Sequence, residues 1–277
     1  MELNIHDLQL LVNQNNKLVY KTIYDLIEKE YENALDGLVI DIDDELRSKT
    51  IGTCGIYLSS IVELLHTTKQ LIENGFIESA GSTSAALWER SLTLRKIMLD
   101  PGNNSQIHVE HAKFKKTPWT IWNMVKEISD KEIQEKEKRK NACKLFYMQY
   151  SFLCSIKHGN PYTISYLNRP DKSSIEALFK VKPNDSFEDN DLKLYILLIS
   201  MDIALDAILE YSKEYRKSNQ VRALKEIRSL LNRVATYIPL DIAKIFITSP
   251  EEMGKEFWEF LEKLDAEESP RLFGPLL

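Results

Sequence analysis

The sequence predicts an all-α protein, and three observations carry that prediction. Apolar residues recur at three- and four-residue spacing through segments far too long to be strands. Glycine and proline number only nine each in 277 residues, few for a turn-rich β architecture of that length. Most of them stand between the periodic segments, where helices need stop signals.

Leu8, Leu11, Leu18, Val19, Ile23, Leu26 and Ile27 recur at helical spacing, and Asp36-Gly37 closes that first segment. A second helix is predicted from about Asp43 to Glu73. It carries Ile51, Cys54, Leu58, Ile61, Val62 and Leu65 on one face, and Asn74-Gly75 is its stop. The third, about Ile77 to Leu99, uses Ala86, Leu87, Leu94, Ile97 and Met98. Pro101-Gly102-Asn103-Asn104 ends it, because proline cannot continue the hydrogen-bond ladder. After a mixed segment with His108, His111, Trp119 and Trp122, a fourth long helix is expected from about Asp130 to Lys157. Its first half is a run of interleaved charges from Lys131 to Lys140, and its second half is apolar and aromatic.

Tyr162 to Asp189 is the least helical part, where residues 162–167 and 177–181 fit a short hairpin or an irregular excursion. The most apolar helix is predicted from about Asn190 to Tyr215. Hydrophobic nearly all round in its first half, it belongs at the centre of a bundle. Further helices are expected from about Gln220 to Tyr237 and from Pro250 to Leu264, the latter opening on the capping box Ser249-Pro250-Glu251-Glu252. The tail, residues 267–277, is apolar and proline-broken, so it packs back on the body or inserts into a partner. Residues 1–237 thus read as a helical bundle, and 238–277 as a C-terminal helical extension with an apolar tail.

A formal charge of −6 argues against a surface built mainly to bind phosphate backbones, leaving room for a local basic groove. Cys54, Cys143 and Cys154 have no metal-type spacing and read as buried reduced thiols of a cytoplasmic protein. The first thirty residues carry charges throughout and lack the apolar run of a signal peptide. Leu192 to Leu209, broken by Asp202 and Asp206, falls short of the ~20 apolar residues a membrane helix needs. No phosphate-cradling glycine loop, dinucleotide fingerprint, zinc-protease helix or nucleophile elbow is present, and no cofactor is implied.

Four constellations carry chemistry. The fourth helix ends in His158, followed at once by Gly159, Asn160 and Pro161. A helix C-terminus favours cations, which suits phosphate binding or general-acid chemistry; the plainer role is to satisfy end carbonyls. Glu89 and Arg90 bring charge into an apolar helix and point about 100° apart. Either one reaches a buried polar partner and the other solvent, or Glu89 orients His158 across the bundle. Asp202, Asp206 and Glu210 form a stripe at four-residue intervals, read as a solvated face or, through Asp202 and Asp206, as a divalent-metal site. His108 and His111 are three apart but lack a third zinc ligand, and the acids from Asp41 to Glu45 decorate a helix start.

Glu89 with Asp100-Pro101, and Ser151 or Ser155 with His158-Gly159-Asn160-Pro161, resemble the patterns of a group of bacterial helical proteins related to the HEPN superfamily. The resemblance covers about residues 45–215. It implies a HEPN-like bundle in a prokaryotic defence or toxin-type system, acting on or sensing RNA or nucleotide through a cleft at His158. The roles it implies are catalytic for His158 and Glu89, and RNA- or nucleotide-binding for Arg90, Ser155, Lys157 and Asn160. It also implies a homodimer or a partner-protein complex. The pattern's usual arginine falls near Ala85, with Arg90 and Arg95 as substitutes on the same helix. The ribonuclease signature, Arg then four to six residues then His, does not occur. The residues therefore leave enzymatic activity open, and a catalytically inert interaction or regulatory module stands beside the first reading.

Overall fold

A computed structural model of the chain describes residues 16–35, 45–114, 118–158, 191–215 and 218–235, which hold eight helices and no strand. We number them α1 Asn16–Leu35, α2 Glu45–Glu73, α3 Ile77–Leu99, α4 Pro101–Ala112, α5 Ile121–Glu132, α6 Lys136–Lys157, α7 Asp191–Tyr215 and α8 Ser218–Ala235. The class is all-α, as the periodicity predicts. Among the described residues no helix is long and apolar enough to cross a membrane.

α2 and α3 form an antiparallel hairpin that places Cys54 Sγ 3.6 Å from Met98 Sδ. Its turn needs a glycine. Gly75 has φ 81, a left-handed conformation in which its N–H donates to Ile72 O and that of Phe76 to Leu71 O, at 3.1 and 2.8 Å. This pair of bonds satisfies the last carbonyls of α2.

At Pro101 the predicted stop holds, but the chain restarts at once. Asp100 accepts from the N–H of Asn103, and Pro101 sits in the first turn of α4, where its missing donor costs nothing. Thr120 caps α5 in the same way, through the N–H of Asn123. The segment read as mixed therefore contains two helices. The single helix expected from Asp130 to Lys157 is broken instead: Ile133 is extended (φ −120, ψ 110) and α6 begins at Lys136. Arg139 bridges the break, donating to Gln134 O at 3.1 Å and Asp130 Oδ1 at 3.0 Å. The break lets α5 fold back, burying Met124, Val125 and Ile128 against α3 and α6.

Two helices share the centre. α7 is buried from Ile196 to Met201 and from Ile203 to Leu209, and packs against α1, α2, α3 and α8. α3 packs against α2, α4, α5, α6 and α7. Small residues on α3 permit this crowding: a Cβ on Gly81 would lie 2.7 Å from Ile156 Cδ1 of α6. Towards α7, the hydroxyls of Ser84 and Ser200 meet at 2.6 Å, and Ser91 donates to Ile203 O at 2.8 Å. The excursion expected within 162–189, the helix from Pro250 and the apolar tail lie outside the described residues, as do Leu8 and Leu11.

Candidate functional site at the end of helix α6

α3 and α6 run antiparallel, with Gly81 against Ile156 at one end and Arg95 over the ring of Phe146 at the other. Between them Trp88 stacks on Tyr150, centroids 5.3 Å apart and planes 29° apart. The stacking fixes the Tyr150 hydroxyl, which donates to Glu89 Oε1 at 3.0 Å. Lys157 Nζ reaches the same oxygen at 3.0 Å. The two segments singled out in the sequence therefore meet, but through Lys157.

His158 is exposed at the C-cap of α6, its N–H bonded to Cys154 O and Ile156 O. Among the described residues no hydrogen bond or ion pair joins it to Glu89. Ser155 Oγ donates within its own helix to Phe152 O at 2.7 Å. Arg90 is exposed beside Glu89, and Asn160 lies outside the described residues.

Burial, together with the neighbouring Cys154 and Glu89, holds the Tyr150 hydroxyl protonated well above its ordinary range. Burial also pushes the Cys154 thiol up, with the Glu89 charge adding to the rise and the neighbouring Tyr150 and Lys157 pulling the other way. That thiol is no activated nucleophile. The corner thus offers a carboxylate already engaged by two donors, the ammonium of the exposed Lys157 and, one residue on, an exposed imidazole. These groups suit holding an anion better than abstracting a proton.

The acidic stripe of α7 is not a solvated face. Asp206 is 3% exposed. Its Oδ2 lies 3.2 Å from Arg95 Nη1, and its Oδ1 lies 2.8 Å from Arg228 Nη1 on α8. Arg95, one turn beyond Ser91 on the face towards α7, is itself buried and places Nη2 at 2.7 and 2.8 Å from the two oxygens of Glu132. Burial opposes the guanidinium charge, but Asp206 and Glu132 outweigh it and raise the Arg95 pKa. The arginines take both oxygens of Asp206, which a metal shared with Asp202 would need. Among the described residues no cluster of three acids, histidines or cysteines could hold an ion. The sequence displayed the stripe but not its counter-charges, which come from other helices.

The two histidines of α4 also separate. His108 Nε2 lies 2.8 Å from the Tyr57 hydroxyl and its ring stacks on Trp119, while His111 Nδ1 sits 3.0 Å from Ile107 O on its own helix. Burial, then the neighbouring His111, lowers the His108 pKa. Lys96 lies over Trp119 and pairs with Glu127, tying α3 to α5. The spacing of aromatic residues gave no warning of this group, because its members come from four segments. Comparison with protein-family models, curated proteins and solved structures finds no match to the chain.

Proposed function

We propose that the chain is a HEPN-like helical component of a prokaryotic defence or toxin-type system that binds RNA or a nucleotide at the Lys157–His158 end of α6. The supporting observation is the Glu89–Lys157 pair, which joins the two segments on which the resemblance rests. Phosphate binding needs cations and donors at a reachable surface, and Lys157 and His158 supply them there. Glu89 acts as a positioning residue, holding Lys157 from below. A second reading, a catalytically inert interaction module, is favoured by the engagement of Glu89 with Tyr150 and Lys157, which leaves it unsuited as a base.

RNA cleavage and RNA or mononucleotide binding, measured separately on wild type and His158→Ala, test the first reading. His158→Ala should remove binding, and any cleavage, while the melting temperature changes little, because the side chain is exposed. Absence of both binding and cleavage in wild type, with no growth arrest on expression, would overturn it in favour of the interaction module.

A further inference from the structure

We propose that α2 is a self-association surface, pairing antiparallel with α2 of a second copy of this chain about a two-fold axis at Ile56. Its outward face is a stripe at alternating steps of three and four, Lys49, Gly52, Ile56, Ser59 and Glu63, every member exposed. Ile56, at the middle of the stripe, is 73% exposed, one of four large apolar side chains exposed among the described residues. Gly52 stands in the helix interior, where glycine destabilises, yet a Cβ there would meet nothing within 4 Å. Among the described residues nothing calls for a glycine at that point. A second backbone crossing close by would.

The charges identify the occupant. Lys49 precedes Ile56 by seven residues and Glu63 follows it by seven, so each stands two helical turns, about 10.5 Å, from the centre. An antiparallel pairing through Ile56 sets Lys49 of each copy against the partner's Glu63, twice over, and brings Gly52 to the turn that holds Ser59 and Ser60. A parallel pairing would oppose lysine to lysine and glutamate to glutamate. Opposite charges equidistant from one residue make the face self-complementary, as an isologous two-fold contact requires. An unrelated partner would have no use for that symmetry.

The test uses the full chain and sedimentation equilibrium over a wide concentration range. The expected result is a monomer–dimer equilibrium that Lys49→Glu or Glu63→Lys each weakens about tenfold, since the loss of two rim ion pairs is of that order. The double variant K49E/E63K should recover the wild-type association. Ile56→Cys, which meets its own copy across the axis, should form a disulfide-linked dimer under mild oxidation, while Ile56→Ser should not. Because these positions are exposed, melting curves should show every variant folded. A wild-type monomer at all concentrations would overturn the proposal. So would a dimer that Ile56→Cys fails to lock, or a double variant as weak as its two parents combined. These outcomes are independent of whether RNA binds at His158.

Discussion

Asp202 stands one turn from Asp206 on α7, but with a different fate. Asp206 has two guanidiniums, whereas Asp202 Oδ1 is buried with no hydrogen-bond partner among the described residues. Burial first, and then the charge of Asp206, raise the Asp202 carboxyl to about 6, with Arg228 and Arg95 pulling it down. A carboxyl raised in the fold favours its neutral form there. Its stabilising contribution is complete below the unfolded value near 3.8 and is lost as pH rises through 6. Asp202→Asn, neutral throughout, should therefore be more stable than wild type by about 1–3 kcal/mol at pH 8, and no more stable near pH 4. Urea unfolding at the two pH values checks this; equal stability at pH 8 would refute it. The sequence showed that Asp202 and Asp206 share a face, since spacing alone decides that. It could not show what opposes the face. Periodicity is blind to partners brought in from other helices, so it does not reveal Arg95 and Arg228 as the counter-charges of Asp206.

At the scale of helices, legibility followed the same boundary between local and tertiary causes. The Asn74-Gly75 stop of α2 and the span of α3 were readable because the residues that form them are contiguous. α4 was missed because Pro101-Gly102-Asn103-Asn104 looks like a breaker, although proline and a preceding aspartate also make a good helix start. The break before Lys136 was hidden for a tertiary reason: it exists so that α5 can turn back onto α3. For the candidate site, Glu89 and the end of α6 were correctly singled out as segments, but the side chain that spans them is Lys157, whose reach no spacing reveals. Helix packing also predicts opposite fates for two glycines. Gly81→Ala would drive a Cβ into Ile156, with Cγ2 at 2.8 and Cβ at 3.2 Å, where the branched side chain has little room to yield. The strain, about 1–3 kcal/mol, should exceed the helix-propensity gain of up to ~1 kcal/mol and leave a net loss. At Gly55 the nearest atom is the Tyr211 hydroxyl at 4.0 Å, so Gly55→Ala should be neutral or stabilising. Thermal melts of the two variants decide it, and a stabilised Gly81→Ala would show that the α3–α6 approach is looser than described.

Over the whole molecule, the two central helices come from distant parts of the chain, and this sets how it must fold. α3 offers one side to α2, α4, α5 and α6, all close in sequence, and the other to α7. That second side carries the polar contacts Ser84 to Ser200, Ser91 to Ile203 and Arg95 to Asp206, each linking residues more than a hundred positions apart. α1 depends on the late helices as well, packing chiefly on α7 and α8. A fragment of residues 16–158 would retain six of the eight helices. It would leave the α7-facing side of α3 open, uncover the apolar side of α2, and deprive α1 of its main support. Arg95 would keep Glu132 but lose the buried Asp206, and the apolar surface given up by Ile196 to Leu209 has no substitute. The fragment should therefore show helical circular dichroism without a cooperative thermal transition, and its three tryptophans, Trp88, Trp119 and Trp122, should lack the fluorescence of a packed interior. The full chain should melt sharply by both probes. A sharp melt of the fragment would mean that α1 to α6 fold on their own, with α7 and α8 docking onto a finished bundle.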